Sequence, residues 1–142
     1  YDIAQICQNG HLINSRMQDD PVHNKTCCDK CGEKTITSCE CGESIQGDYV
    51  VPGFLGEGEF TLPRYCHKCG KAFPWTVQAL VAAKELTDEL EELNKEEKEK
   101  LKQILSDLTK DSAKTELAKK RFKELKILNP LILKFLNYLA ND

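Results

Sequence analysis

Residues 26 to 32 read "TCCDKCG", and the way their cysteines are used decides the fold. Three cysteines stand in five positions, while a turn that offers one corner of a tetrahedral metal site uses two. Cys28 and Cys31, followed by Gly32, have the form of a zinc knuckle. Two sulfurs on one tight turn face one ion, and the glycine supplies the positive φ that ends the turn. Cys27 falls outside that unit and is expected as a small buried hydrophobe, or else as a spare thiol beside the metal.

The same punctuation recurs along the chain. "CQNGH" offers Cys7 and His11, "CECG" offers Cys39 and Cys41, and "CHKCG" offers Cys66 and Cys69. Four pairs supply eight donors, enough for two tetrahedral zinc ions, one with three thiolates and an imidazole, the other with four thiolates. Each ion would be closed by protein ligands, which points to structure rather than catalysis. Sequential pairing makes two zinc ribbons in tandem, with gaps of ~16 and ~24 residues that fit hairpins. Nested and cross-brace pairings remain open at this level. His67 lies between two better ligands, with its ring expected to point outward.

Composition divides the chain at Trp75. All eight cysteines, all three histidines, all eight glycines and four of five prolines lie before it. The expected fold is α+β: a two-zinc ribbon module of short antiparallel hairpins over residues 1–75, then an antiparallel α-helical bundle over 76–142. "HLIN", "TIT", "SIQGDYVVPG" and "GEFTLPRYC" carry the strand signals, and "PGFLGEGEF" reads as a hairpin loop. It lacks the Lys-Ser/Thr ending of a phosphate loop.

Beyond Trp75 the period becomes helical. Thr76 is a candidate cap for a stripe of Ala79, Ala83, Leu86, Leu90 and Leu93. Asn94 and Glu97 form a capping-box pattern before Leu101, Ile104, Leu105 and Leu108. Asp111 or Ser112 would cap a third helix carrying Leu117, Ala118, Phe122 and Leu125. Asn129-Pro130 would start a fourth, with Leu131, Ile132, Phe135, Leu136 and Leu139.

Four stretches, "YDIAQICQNGHLIN", "CDKCGEKTIT", "IQGDYVVPG" and "YCHKCGKAFPWT", together resemble a family of uncharacterised bacterial proteins. That family is described as a domain of unknown function with tandem zinc-ribbon-like knuckles. The resemblance continues through "KEEKEKLKQILSDLTKDSAKTELAKKRFKEL". It implies the same eight ligands and no known catalytic activity. The chain departs from the family's pattern at "CEC", where Cys-x-x-Cys is usual, which makes Cys39/Cys41 the tighter bite and the weaker site. The family also tends to place an apolar or aromatic side chain where Cys27 stands.

Charge and motifs narrow the function. No Ser-His-Asp grouping, His-Glu-x-x-His or phosphate loop is present, so no enzyme is expected. The start "YDIAQICQNG" has neither a basic leader nor an apolar core, which predicts a cytoplasmic protein whose thiols stay reduced. Residues 112–142 carry seven basic and three acidic side chains, clustered at Lys119, Lys120, Arg121, Lys123 and Lys126. The leading expectation is a structural zinc protein acting as an adaptor or subunit of a bacterial complex. It would bind a protein partner, or a second copy, through the apolar C-terminal helix. The alternative is a nucleic-acid-binding zinc ribbon using the basic helix 114–126. Against it, residues 1–75 hold seven basic and ten acidic side chains. A redox or zinc sensor is a weaker third reading. No membrane contact is expected.

Overall fold

A computed structural model describes residues 1–53, 59–125 and 130–140, the side chains of residues 131, 135, 136, 139 and 140 excepted. The protein is α+β. Its chain divides into two compact units, Tyr1–Thr76 and Val77–Asp142.

The first unit holds a three-stranded antiparallel sheet in the order β2-β1-β3, made of β1 (Gln5–Cys7), β2 (Leu12–Asn14) and β3 (Thr35–Ile36). β1 is central, and all three of its residues are buried. Around it pack Ala4, Ile6, Ile45, Phe73 and Trp75, together with Cys39 and Cys66. Phe73 stacks on Trp75 at 4.8 Å, and the indole N–H donates to the Pro63 carbonyl at 2.8 Å. Few large apolar side chains serve about 76 residues, so this core alone is thin for a stable domain.

"HLIN" and "TIT" supply β2 and β3, but the later strand signals give only isolated bridges. Alternation from Ile45 extends inward to Gly47 and then stops; Tyr49 and Val51 are exposed. The reason is local crowding. A Cβ on Gly47 would stand 2.1 Å from the Ser15 carbonyl oxygen, so the segment is wedged there, and its pairing stops at the Ile3–Gln46 bridge. Around that bridge the Ile45 and Asp48 carbonyls accept from the Ala4 and Asp2 N–H groups and the Gly47 N–H donates to Asp2 O, while the Asp48 N–H turns to Ser15 O. "GEFTLPRYC" likewise forms no strand among its described residues, and residues 54–58 of the expected hairpin loop lie outside the description.

Asp2 fixes the start of this unit. Its buried carboxylate accepts from the amides of Ile3, Gln18 (2.9 Å) and Asp19 (3.0 Å). Desolvation pushes its pKa up, but these amides, with Arg16 nearby, outweigh it and hold the carboxyl below its usual value.

Four helices follow: α1 (Pro74–Asp88), α2 (Lys95–Leu108), α3 (Ala113–Glu124) and α4 (Pro130–Ala140). α1 starts two residues before the expected cap, with proline at its first position. Thr76 is instead buried, its hydroxyl donating to the Arg64 carbonyl at 2.9 Å. Asn94 caps α2, accepting from the Glu97 amide at 2.9 Å. Ser112, not Asp111, caps α3 in a capping box with Thr115.

The helical core joins Ala83, Leu90, Leu93, Leu101, Ile104, Leu105, Leu108, Ala118 and Ile132. Leu80, Leu86, Phe122 and Leu125 flank it. α2 packs against both α3 and α4. Leu117, expected inside, is exposed on α3. Lys126, Asn129 and the side chains of Leu131, Phe135, Leu136 and Leu139 lie outside the described residues. Among the described residues, no helix is long and apolar enough to cross a membrane.

Candidate metal centres

Each knuckle is built the same way. The N–H groups of Cys7, Cys28, Cys39 and Cys66 donate to the carbonyls of His11, Glu33, Glu43 and Lys71, at 3.0, 2.8, 2.8 and 2.8 Å. The carbonyl of each of those cysteines accepts from the glycine of its turn, Gly10, Gly32, Gly42 or Gly70, at 2.8 to 2.9 Å. All four glycines have positive φ, between 73° and 86°. The residue before each first cysteine pairs across the turn: Ile6 with Leu12, Cys27 with Lys34, Ser38 with Ser44, and Tyr65 with Ala72.

Two lengths of knuckle alternate. In Cys28–Gly32 and Cys66–Gly70 the glycine stands four residues after the first cysteine. In Cys7–Gly10 and Cys39–Gly42 it stands three after. The Cys-x-Cys pair is therefore the short knuckle, with the same turn bonds as the first. Only the second ligand differs: Cys41 precedes its glycine, whereas His11 follows Gly10.

The eight donors gather into two groups in sequential pairing. Cys7, His11, Cys28 and Cys31 form one, and Cys39, Cys41, Cys66 and Cys69 the other, with all donor atoms of a group within 4.8 Å of one another. Each group joins one short knuckle to one long one. In the first, the sulfurs of Cys7 and Cys31 are 3.8 Å apart, and His11 Nδ1 lies 3.4 Å from Cys7 Sγ and 3.6 Å from Cys28 Sγ. In the second, Cys39 and Cys69 are separated by 3.6 Å, and Cys41 and Cys66 by 3.7 Å.

These separations fit zinc. Zn–S bonds of about 2.3 Å at tetrahedral angles set sulfurs about 3.8 Å apart, and Zn–N of about 2.0 Å shortens the mixed edge to about 3.5 Å. They are far beyond a disulfide bond of about 2.0 Å, and all eight cysteines are free.

The thiols of each group perturb one another. The Cys69 amide, with that of Lys68, outweighs desolvation and holds the Cys66 thiol down at about 6. Cys69 is pushed up to about 12: the Lys71 amide pulls it down, but desolvation and the neighbouring Cys39, Cys41 and Cys66 sulfurs outweigh that amide. Four thiols in one small space cannot all ionise without a positive charge among them. In the first group, desolvation raises the Cys7 thiol, while the Glu33 amide and the Asn9 side chain hold Cys31 down. The His11 amide also donates to Cys7 Sγ at 3.3 Å.

Burial is asymmetric. The first cysteine of every knuckle is buried; Cys31, Cys41 and Cys69 are exposed and His11 is half-buried. Cys27 is also exposed, against the expectation of a buried side chain. Its bridge to Lys34 places it on the turn, outside the ligand group. His67 stays out of the second group, its Nε2 3.3 Å from Glu43.

Sequence reasoning missed the supports. Asn9, inside "CQNGH", serves Cys31. Glu43 and Glu40 reach the other knuckle through Lys68 and Lys71, both at 2.9 Å. These pairs tie residues 25 and 31 apart in sequence, and no local pattern announces them.

The family model described as an uncharacterized protein conserved in bacteria (DUF2321) matches residues 1–135, and the chain belongs to this family. No curated protein and no solved structure matches it.

Proposed function

We propose that this is a non-catalytic, zinc-stabilised adaptor or subunit of a bacterial assembly, working in the cytoplasm. The carrying observation is that each group offers four protein donors. Four such ligands complete a tetrahedron and leave no position for water or substrate, and thiolates quench Lewis acidity. The metal's task is then to hold a small unit together, with binding coupled to folding.

The helical unit supplies a docking face. A groove of about 360 Å³ beside α3 and α4 is lined by Leu108, Phe122 and Leu133, by Lys119, Lys120 and Lys123, and by Glu116 and Asn137. Leu133 is exposed, and Lys119 is paired with Glu116 at 2.9 Å. Apolar side chains interspersed with three lysines suit a partner helix that carries carboxylates beside its apolar face. Affinity capture from the native host tests this, comparing the wild type with the double variant Lys120→Glu, Lys123→Glu. A partner held by the wild type should be lost by the variant at unchanged zinc content and helicity. A partner retained at full strength counts against the groove. Light scattering of Leu133→Lys separates a second copy, whose dimer would dissociate, from a different protein.

The exposed Lys120, Arg121 and Lys123 favour a second reading, a nucleic-acid surface. Phe122, the aromatic residue beside them, is occupied by the helical core and is poorly placed to stack bases. Binding to DNA and RNA across salt, with Lys119, Lys120 and Arg121 changed to Glu, decides it. No affinity at low salt ends this reading.

A further inference from the structure

Apart from the metal groups, the first unit contains a cavity of about 360 Å³, within the range of small-ligand pockets. Its walls include Tyr1, Tyr49, Tyr65 and Phe73, with the carboxylates of Asp48 and Glu59. His67, paired with Glu43, is the basic residue among its described lining residues, and neither lysine nor arginine joins it. Tyr49 is 68% exposed, and its ring meets that of Tyr1 at 5.3 Å and 59°. A large aromatic face is thus left in water on a wall that also holds two carboxylates.

Two parts of the wall are fixed from within the unit. Asp48 donates its N–H to the Ser15 carbonyl and accepts from the Asp2 N–H, both at 2.9 Å, and its carboxylate accepts from the Ser15 hydroxyl at 2.7 Å. Phe73 is buried and fixed by its stack on Trp75. Burial of the carboxylates by a neutral apolar ligand would cost desolvation with no return, and an anion would be repelled. A cation with an apolar envelope satisfies both surfaces: the aromatic faces attract its charge and cover its carbon, and the carboxylates neutralise it.

We propose that this cavity binds an organic cation, either a free alkylammonium compound or the lysine or arginine side chain of a partner protein. The test is NMR titration of the zinc-loaded full chain with choline, with its neutral isostere 3,3-dimethylbutanol, and with N-acetylarginine amide. At least one cation should bind saturably, with shifts confined to the cavity, and the neutral isostere should bind at least fivefold more weakly. Tyr49→Leu and Asp48→Asn should each weaken the cation at least fivefold at unchanged zinc content. If Asp48→Asn loses zinc, Glu59→Gln takes its place. Choline alone binding assigns the cavity to small ammonium compounds; the arginine amide alone binding assigns it to a partner's side chain. Equal binding of the neutral isostere, saturation by neither cation, or indifference to Tyr49→Leu overturns the proposal.

Discussion

The first metal group takes a short knuckle, Cys7–His11, and a long one, Cys28–Cys31; the second takes the short Cys39–Cys41 and the long Cys66–Cys69. The parts match, yet they rest on different support. The inner sulfurs of the second group, Cys39 and Cys66, belong to the hydrophobic cluster around Trp75. Those of the first, Cys7 and Cys28, are buried without joining it. The short knuckle of the first group touches Trp75 through Gly10, and the rest of the group leans on the sheet and on polar contacts: Gln5 reaches the Lys25 amide and Thr35, and Asn14 reaches Asn24 and the Asp20 carbonyl.

Charge differs as well. Four thiolates around a divalent ion leave a net charge of roughly −2, whereas three thiolates and an imidazole leave roughly −1. The richer group has two lysines across its knuckles. Lys68 and Lys71 are raised first by their Glu43 and Glu40 partners and further by the cysteine sulfurs. A metal site can thus be stabilised from the core side or from a polar shell, and loss of each should be felt differently.

The largest expected effect follows from that contrast. Cys66→Ser should lose one zinc equivalent and the fixed environment of Trp75, read as near-ultraviolet circular dichroism and a red-shifted emission. Cys31→Ser should also lose one zinc but leave the Trp75 signal largely in place. The opposite ranking would break the comparison.

Next come the turn glycines. Gly32→Ala meets open space and only a positive φ, and should cost about 1 kcal/mol in denaturant unfolding. Gly10→Ala has the same φ problem, and its Cβ would stand 2.9 Å from Trp75 Cβ, so about 2–3 kcal/mol is expected. Equal costs would mean that the first knuckle is not seated on Trp75.

Asp2→Asn removes a charge that receives three amides and should cost about 1–3 kcal/mol. The folded carboxyl titrates below its usual value of 3.8, so its contribution is present above that value and is lost only as pH falls through the folded value. The gap between wild type and variant should therefore be flat from about pH 5 to pH 8. A gap that closes within that window contradicts the role given to the amides. The smallest effect belongs to Cys27→Ala: an exposed side chain outside the ligand group should change stability by less than about 0.5 kcal/mol and zinc content not at all.

The candidate donors were legible because a chelating turn is local: two donors and a glycine fall within five residues, and four such turns gather into two groups. Helix starts at Asn94 and Pro130 were legible for the same reason. Sequential pairing was favoured by loop length, but its cause is not local. β3 pairs with β1, which brings Cys28–Cys31 beside Cys7–His11, and the Glu43–Lys68 and Glu40–Lys71 pairs and the Trp75 cluster join Cys39–Cys41 to Cys66–Cys69. The second hairpin misled because alternation at Ile45 and Gly47 records burial, which a wedged segment shares with a strand. Thr76 resembled a cap, yet Pro74 already satisfied the helix start and freed its hydroxyl for Arg64. Cys27 had the chemistry of a core residue, but its place on the knuckle, like that of Ser38, faces solvent.

Metal analysis of the purified, reduced chain tests the central claim most directly, combined with Trp75 emission during chelation. Close to two zinc ions per chain are expected, and their loss should abolish the Trp75 environment while the helical signal largely persists. One zinc or none in a chain that keeps its Trp75 signal would contradict it.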